Sequence, residues 1–184
     1  MLSVTKCIIF PSINYGLVFG MLIIGLIMKQ QLLQLMALKS LNRSGWQRVG
    51  IESPESVASH SWGMSALALR LCPGNLDLSK VLSLCIIHDI PEIIVGDLTP
   101  HDDCSNKAKD EHLAMKELAP QWLHLFEEYE EGQTEEAKFV KQIDKLDMAL
   151  QATIYRNEQD IDTSQFIESA MAKISDPGLL KLIA

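Results

Sequence analysis

The stretch Val81-Leu-Ser-Leu-Cys-Ile-Ile-His88-Asp89-Ile-Pro91-Glu92 decides the fold. Its opening run is apolar nearly all round, which reads as a helix central to the molecule, spanning about 78–90. Pro91 ends or kinks that helix, because proline brings no N–H and its ring crowds the preceding turn. The His88-Asp89 pair therefore arrives at the end of a buried helix, where an unpaired carboxylate is costly. A divalent cation is one partner that would compensate it. The alternative for His88 is a core histidine bonded to a backbone carbonyl.

Outward from this stretch, the pattern from Met28 on is helix after helix without alternating β-branched runs, so the chain is all-α. Helices are expected at about 29–41, 53–72, 78–90, 105–119, 121–131 and 134–156, with two short ones closing the chain. Ser53-Pro54-Glu55 carries a start signature of serine cap, proline at the first position and an acid in the first turn. Ser175 and Asp176 ahead of Pro177 form a similar one. Residues 91–104, with Gly96-Asp97 and Thr99-Pro100, read as an irregular loop leaving the His-Asp pair. With 184 residues, 47% of them apolar and 22% charged, the chain is long enough for one globular helical bundle, assigned to residues 28–184.

Two segments supply partners for the pair. His60 lies in Ser56-Val-Ala-Ser-His60-Ser-Trp62 and shares a helical face with Met64, Leu67 and Leu71, which turns it toward the core. Asp144 stands beside the apolar stripe Val140, Ile143, Leu146 and Leu150, and Asp147 is one turn further along the same edge. Two histidines and two carboxylates from three helices would close around one ion, with Glu92 one turn from His88. Imidazole with carboxylate suits Zn, Fe, Mn, Co or Ni better than Ca. Singly, each residue has a plainer reading: a satisfied core histidine, or a boundary acid paired with Lys141 or Lys145. A second constellation, Asn42-Arg43-Ser-Gly-Trp46-Gln-Arg48, sets two arginines and an indole before the His60 helix. Arginine forks match phosphate oxygens, and the alternative is a basic turn with Trp46 packed as an anchor. Lys107 and Lys109 read as surface charges.

The formal charge of −8, with Lys6 the single charge in residues 1–28, excludes a sequence-independent surface for nucleic-acid polymers. Cysteines 7, 72, 85 and 104 show no close metal-ligand spacing and read as reduced core residues of a cytoplasmic protein. Residues 7–28 are uncharged and about as long as a bilayer span, although Pro11, Ser12, Asn14 and Tyr15 interrupt them. Three readings stand for this apolar extension, taken as residues 1–27: a leader or upstream start with the functional chain beginning at Met28, a membrane tether, or an integral core helix.

The order His60, His88-Asp89, Asp144 resembles the HD-domain family of metal-dependent phosphohydrolases. Pro54-Glu-Ser-Val-Ala-Ser-His60-Ser-Trp62, Ile87-His-Asp-Ile-Pro-Glu92-Ile-Ile-Val-Gly-Asp97-Leu-Thr-Pro100 and Glu136 to Ala152 are similar to its 5′-deoxynucleotidase branch, over about residues 28–155. The resemblance implies His60, His88, Asp89 and Asp144 as metal ligands and Glu92 as the acid that positions or activates water. It further implies Asp97 as another site acid, and Arg43 with Trp46 as the groups holding phosphate and nucleotide. The cofactor would be a divalent ion (Co, Mn, Mg or Zn), the substrate a (deoxy)ribonucleoside 5′-monophosphate, and the assembly a homodimer. Ser59 departs from the pattern, since relatives often carry Asp before the histidine, and the spacing of Arg43 and Trp46 from His60 varies among them. The rivals are cyclic-nucleotide or nucleoside-polyphosphate chemistry, which would need more cations than Arg43, Arg48 and Lys107, and a non-catalytic metal-stabilised nucleotide-binding module. Retention of Glu92 and Asp97 beside the four ligands favours a working hydrolase.

Overall fold

The central helix forms where its sequence directs it. Asp77 accepts the backbone N–H groups of Ser79 and Lys80, which satisfies donors that a helix start leaves free. A computed structural model describes residues 15–184, with side chains from Gly25 onward, and its elements run in chain order. They are α1 (Tyr15–Leu35), a 3-10 turn (Met36–Ser40), α2 (Ser44–Arg48), α3 (Val57–Leu71), α4 (Leu78–Ile87), α5 (Glu92–Val95) and α6 (Lys107–Leu118), then α7 (Leu123–Glu131), α8 (Glu135–Gln159), α9 (Ser164–Lys173) and α10 (Pro177–Leu180). Among the described residues the fold is all-α, and the extended pairing is limited to an isolated bridge, Asn42 to Ser56.

Helices α3, α4 and α8 pack on one another at the centre. Met64, Ala68, Val81, Leu84, Val140, Ile143 and Leu146 are fully buried there, so each helix meets the others along an apolar stripe. Helix α7 closes over α4 and α8, and α9 lies along α8. A second apolar cluster, including Ile87, Ile90, Met115 and Phe126, joins the end of α4 to α6 and α7, with Leu35 of α1 packed against it.

Several local expectations give way to tertiary contacts. Helix α1 runs unbroken through Met28, so the first helix starts upstream of residue 29. Residues 1–14 of the apolar extension, Cys7 among them, lie outside the described residues, and among the described residues no helix is long and apolar enough to cross a membrane. The cap of α3 is Ser56, which accepts from Ser59 N–H, rather than Ser53. Ser53 instead has a φ of 52°. The amide of Arg43 donates to the Glu55 carbonyl at 3.0 Å and that of Val57 to the Leu41 carbonyl at 2.8 Å. Those bonds hold residues 54–56 extended and override the local start signature. The loop after Pro91 carries one helical turn, α5. Cys104 is exposed, unlike the buried Cys85.

Asp77 is remote from the His-Asp pair and its cap is local. Asp77→Ala is expected to lower unfolding free energy by about 1 kcal/mol, read as a shift of the urea midpoint.

Candidate active site

Three structural breaks bring the chemistry-bearing side chains together. Ser56 starts α3 so that His60 falls in its first turns, facing α8. The central helix α4 ends at Ile87, leaving His88 at its cap and Asp89 in the turn that Pro91 enforces. Glu92 then opens α5, and Gly96, at a φ of 85° that favours glycine, turns the chain so that Asp97 comes back toward Arg43. Asp144 and Asp147 project from the middle of α8.

The two imidazoles are held from behind. His88 Nδ1 donates to the Cys85 carbonyl at 3.0 Å and His60 Nδ1 to Asp147 Oδ2 at 2.7 Å, because both partners can only accept. Their Nε2 atoms therefore point forward. Asp89 Oδ2 lies 3.0 Å from His88 Nε2 and 3.9 Å from His60 Nε2, and Asp144 Oδ1 lies 3.4 Å from His60 Nε2. His60, His88 and Asp89 each offer a ligand atom within 4.8 Å of the others. The Nε2 atoms of both histidines are buried, and although Asp89 and Asp144 lie beside them neither makes a well-directed hydrogen bond; Glu92 Oε2 is buried and unpaired as well. Buried polar atoms are rarely left so, and the two imidazole nitrogens with the Asp89 carboxylate beside them form a set of donors suited to a divalent cation.

Electrostatics point the same way. Burial, together with the charges of Asp89 and Asp97, pushes the Glu92 carboxyl up to about 10. Burial and Arg43 disfavour a charged His60, but the carboxylates of Asp144 and Asp147 outweigh them and raise it to about 9. Burial also opposes the charge of Asp144, yet Lys145, His60 and His88 hold its carboxyl well below the usual range. For Asp89, His88, His60 and Arg43 likewise outweigh burial and hold it low. The pocket thus draws positive charge, as a proton or as a metal ion.

Arg43 lies across the mouth of this acidic group. Its guanidinium is 3.6 Å from Asp89 and 3.9 Å from Asp97, and Asp97 also accepts the amide of Ser44. Burial works against its charge, but Asp89 and Asp97 more than offset that and raise its pKa further. Arg43, His88, Asp89, Glu92, Asp97 and Asp144 line one cavity of about 1250 Å³. Lys107, read from sequence as a surface charge, lines it too and pairs with Glu111 at 3.4 Å.

Residues 35–180 match the family described as HD domain. The chain belongs to the HD domain family. It is 36% identical over 159 residues to 5′-deoxynucleotidase HDDC2 of Mus musculus, covering 80% of each chain. It is 37% identical over 145 residues to 5′-deoxynucleotidase hdd1 of Schizosaccharomyces pombe, covering 70% of this chain and 73% of that one. Among solved structures, PH0347 protein from Pyrococcus horikoshii OT3 superposes with a TM-score of 0.73 at 33% identity, over 84% of this chain and 94% of that one.

Within this HD domain the structure brings His60, His88, Asp89, Glu92, Asp97, Asp144 and Arg43 together, and treats Trp46 differently. The indole is 2% exposed, packed against Tyr155 and Phe166 with ring centroids 5.3 and 4.3 Å away. Its Nε1–H donates to Glu55 Oε1 at 3.0 Å, so the residue meets the cavity as an edge of its wall while serving as an anchor. Asp147, noted in the sequence only as a neighbour of Asp144, is the hydrogen-bond partner of His60. The signal was its three-residue spacing from Asp144, which puts both on one helix edge. Arg48, which also lines the cavity, pairs with Asp102.

Replacing Trp46 tests the anchor. Trp46→Phe keeps most of the packing but leaves the half-buried Glu55 carboxylate without its donor, and is expected to cost about 1–3 kcal/mol in chemical denaturation.

Proposed function

We propose that this chain is a metal-dependent phosphomonoester hydrolase acting on (deoxy)ribonucleoside 5′-monophosphates, with the chemistry in residues 28–184 and residues 1–27 as an extension. The observation that carries this reading is the meeting of the buried His60 and His88 Nε2 atoms with Asp89 and Asp144, beside a cavity that Glu92 also lines. The names of the mouse and fission-yeast relatives support the substrate class.

In this reading His60, His88, Asp89 and Asp144 hold the cation, with Co, Mn, Mg and Zn as candidates. A divalent cation would supply Lewis acidity toward a phosphate oxygen and would acidify water. Arg43 pairs with the substrate dianion, exchanging part of its contact with Asp89 and Asp97 for phosphate oxygens, which a planar guanidinium can grip by two N–H groups. Asp97 keeps Arg43 and the Ser44 amide oriented during that exchange. Glu92 accepts the proton of the attacking water as the water oxygen bonds to phosphorus and the bond to the nucleoside 5′ oxygen breaks, and that proton passes on to the departing oxygen, giving nucleoside and phosphate. For that task its carboxyl must be brought down from about 10, and added positive charge beside Asp89 does so. Trp46 acts through the wall it braces. The polyphosphate reading is less favoured, since most further lysines along the cavity are engaged, Lys138 by Glu135, Lys145 by Asp144 and Lys141 by the Glu130 carbonyl, which leaves Lys173.

The assembly we propose is a homodimer. Helices α1 and α6 pack together and, with the 3-10 turn after α1, leave Leu32, Leu33, Met36 and Leu113 exposed, apolar side chains of the kind that mark association. Light scattering after gel filtration should give twice the chain mass, and a monomer at micromolar concentration would remove this part of the proposal.

A screen of deoxy- and ribonucleoside monophosphates with each metal, following phosphate release, should find activity that a chelator abolishes and re-added metal restores. Activity on cyclic nucleotides alone would overturn the substrate class. Glu92→Gln is expected to slow turnover by about 10²–10⁴-fold while keeping the rise in melting temperature that metal confers. His88→Ala should lose that rise. Full phosphatase activity in Asp89→Ala would sink the ligand assignment.

A further inference from the structure

Behind His60 lies an arrangement that the proposed chemistry does not itself require. Asp147, 9% exposed and on α8, accepts from His60 Nδ1 at 2.7 Å through Oδ2. Its other oxygen, Oδ1, turns to α3 at Gly63, one turn after His60 on the same helix. A Cβ built on Gly63 would overlap Asp147 Oδ1 outright and come within 3.1 Å of its Cγ. Gly63 sits in a regular helix and shows no left-handed φ, so nothing in its own backbone calls for glycine. In a helix interior glycine is ordinarily the poorer choice against alanine.

Glu55 stands on the far side of this group. Its carboxylate, His60 Nδ1 or Nε2, and a carboxylate oxygen of Asp147 lie within 4.8 Å of one another. Trp46 Nε1–H holds Glu55 from behind, and burial, with Asp147 among its neighbours, raises the Glu55 carboxyl above its ordinary range. Asp147 thus has Glu55 and the bare backbone of Gly63 beside it and His60 as its hydrogen-bond partner.

We propose that Asp147 is the positioning residue for the metal-binding histidine His60, and that glycine at position 63 is the seat that allows its carboxylate to reach the ring. The role rests on the reading of His60 as a metal ligand. The carboxylate fixes the proton on Nδ1, presents Nε2 to the cation and makes the ring a better electron-pair donor. Outer carboxylates of this kind are typically worth about 10–100-fold in metal affinity. A methyl at position 63 would drive the carboxylate off the ring while leaving every ligand in place.

The test measures cobalt affinity by competition with a chelator, and melting temperature without metal, in the full chain. Asp147→Ala and Gly63→Ala should each weaken cobalt binding about 10–100-fold, and Asp147→Asn, which keeps an acceptor oxygen, should recover most of that loss. Gly63→Ala should lower the melting temperature of the natural protein. Combined with Asp147→Ala, where the overlap is gone, the same change should raise it by about 2–4 °C, as alanine does in an ordinary helix of a domain this size. Unchanged cobalt affinity in Asp147→Ala overturns the positioning role, and a rise in melting temperature from Gly63→Ala alone overturns the seat. No cobalt binding by the natural protein would instead overturn the metal reading of the whole site, and the positioning role with it.

Discussion

Four acids, Asp89, Glu92, Asp97 and Asp144, face one cavity in the interior of this chain, and their mutual repulsion is the constraint that the surrounding structure answers. Two unit charges 4 Å apart repel by about 4 kcal/mol at the effective dielectric of a protein pair, so the group cannot be fully ionised without nearby cations. Arg43 lies between Asp89 and Asp97, Lys145 neutralises Asp144, and Glu92 relieves the remainder by holding a proton. The helices that deliver these residues are packed by large apolar clusters. That packing keeps the acids close against their own repulsion.

The same constraint explains the connections around the site. The segment before α3 is tied down by the Arg43 and Val57 backbone bonds, which puts a guanidinium where two carboxylates need it. The turn at Gly96 returns Asp97 to that guanidinium and to the Ser44 amide. Trp46 and Glu55 brace the segment from the core side. The cavity is therefore walled by elements that each carry part of the charge balance.

Much of this was legible along the chain. The apolar run ending in His88-Asp89, the breaker Pro91 and the stripe beside Asp144 are short-range patterns, and the helices at 78–87 and 135–159 follow from them with small errors at their ends. Glu92 and Asp97 follow the pair within eight residues, Glu92 opening the short α5 that comes after its turn and Asp97 lying just past that helix. Ser53-Pro54-Glu55 misled because a start signature is scored over four residues, whereas a backbone bridge from residues 41–43 holds that segment extended. Trp46 beside two arginines reads along the chain as a nucleotide contact; its packing on Tyr155 and Phe166, more than a hundred residues downstream, could not be read there.

By itself, the amino-acid sequence determined the all-α class, the central helix and the candidate ligand types, because helix periodicity, caps and breakers act within a turn or two. Only the tertiary structure decided which nitrogen of His60 points forward, that Asp147 rather than Asp144 holds it from behind, and that Gly63 leaves room for it. Those outcomes depend on contacts between α3 and α8, dozens of residues apart in sequence, and on hydrogen bonds whose partners become neighbours only when the apolar stripes meet.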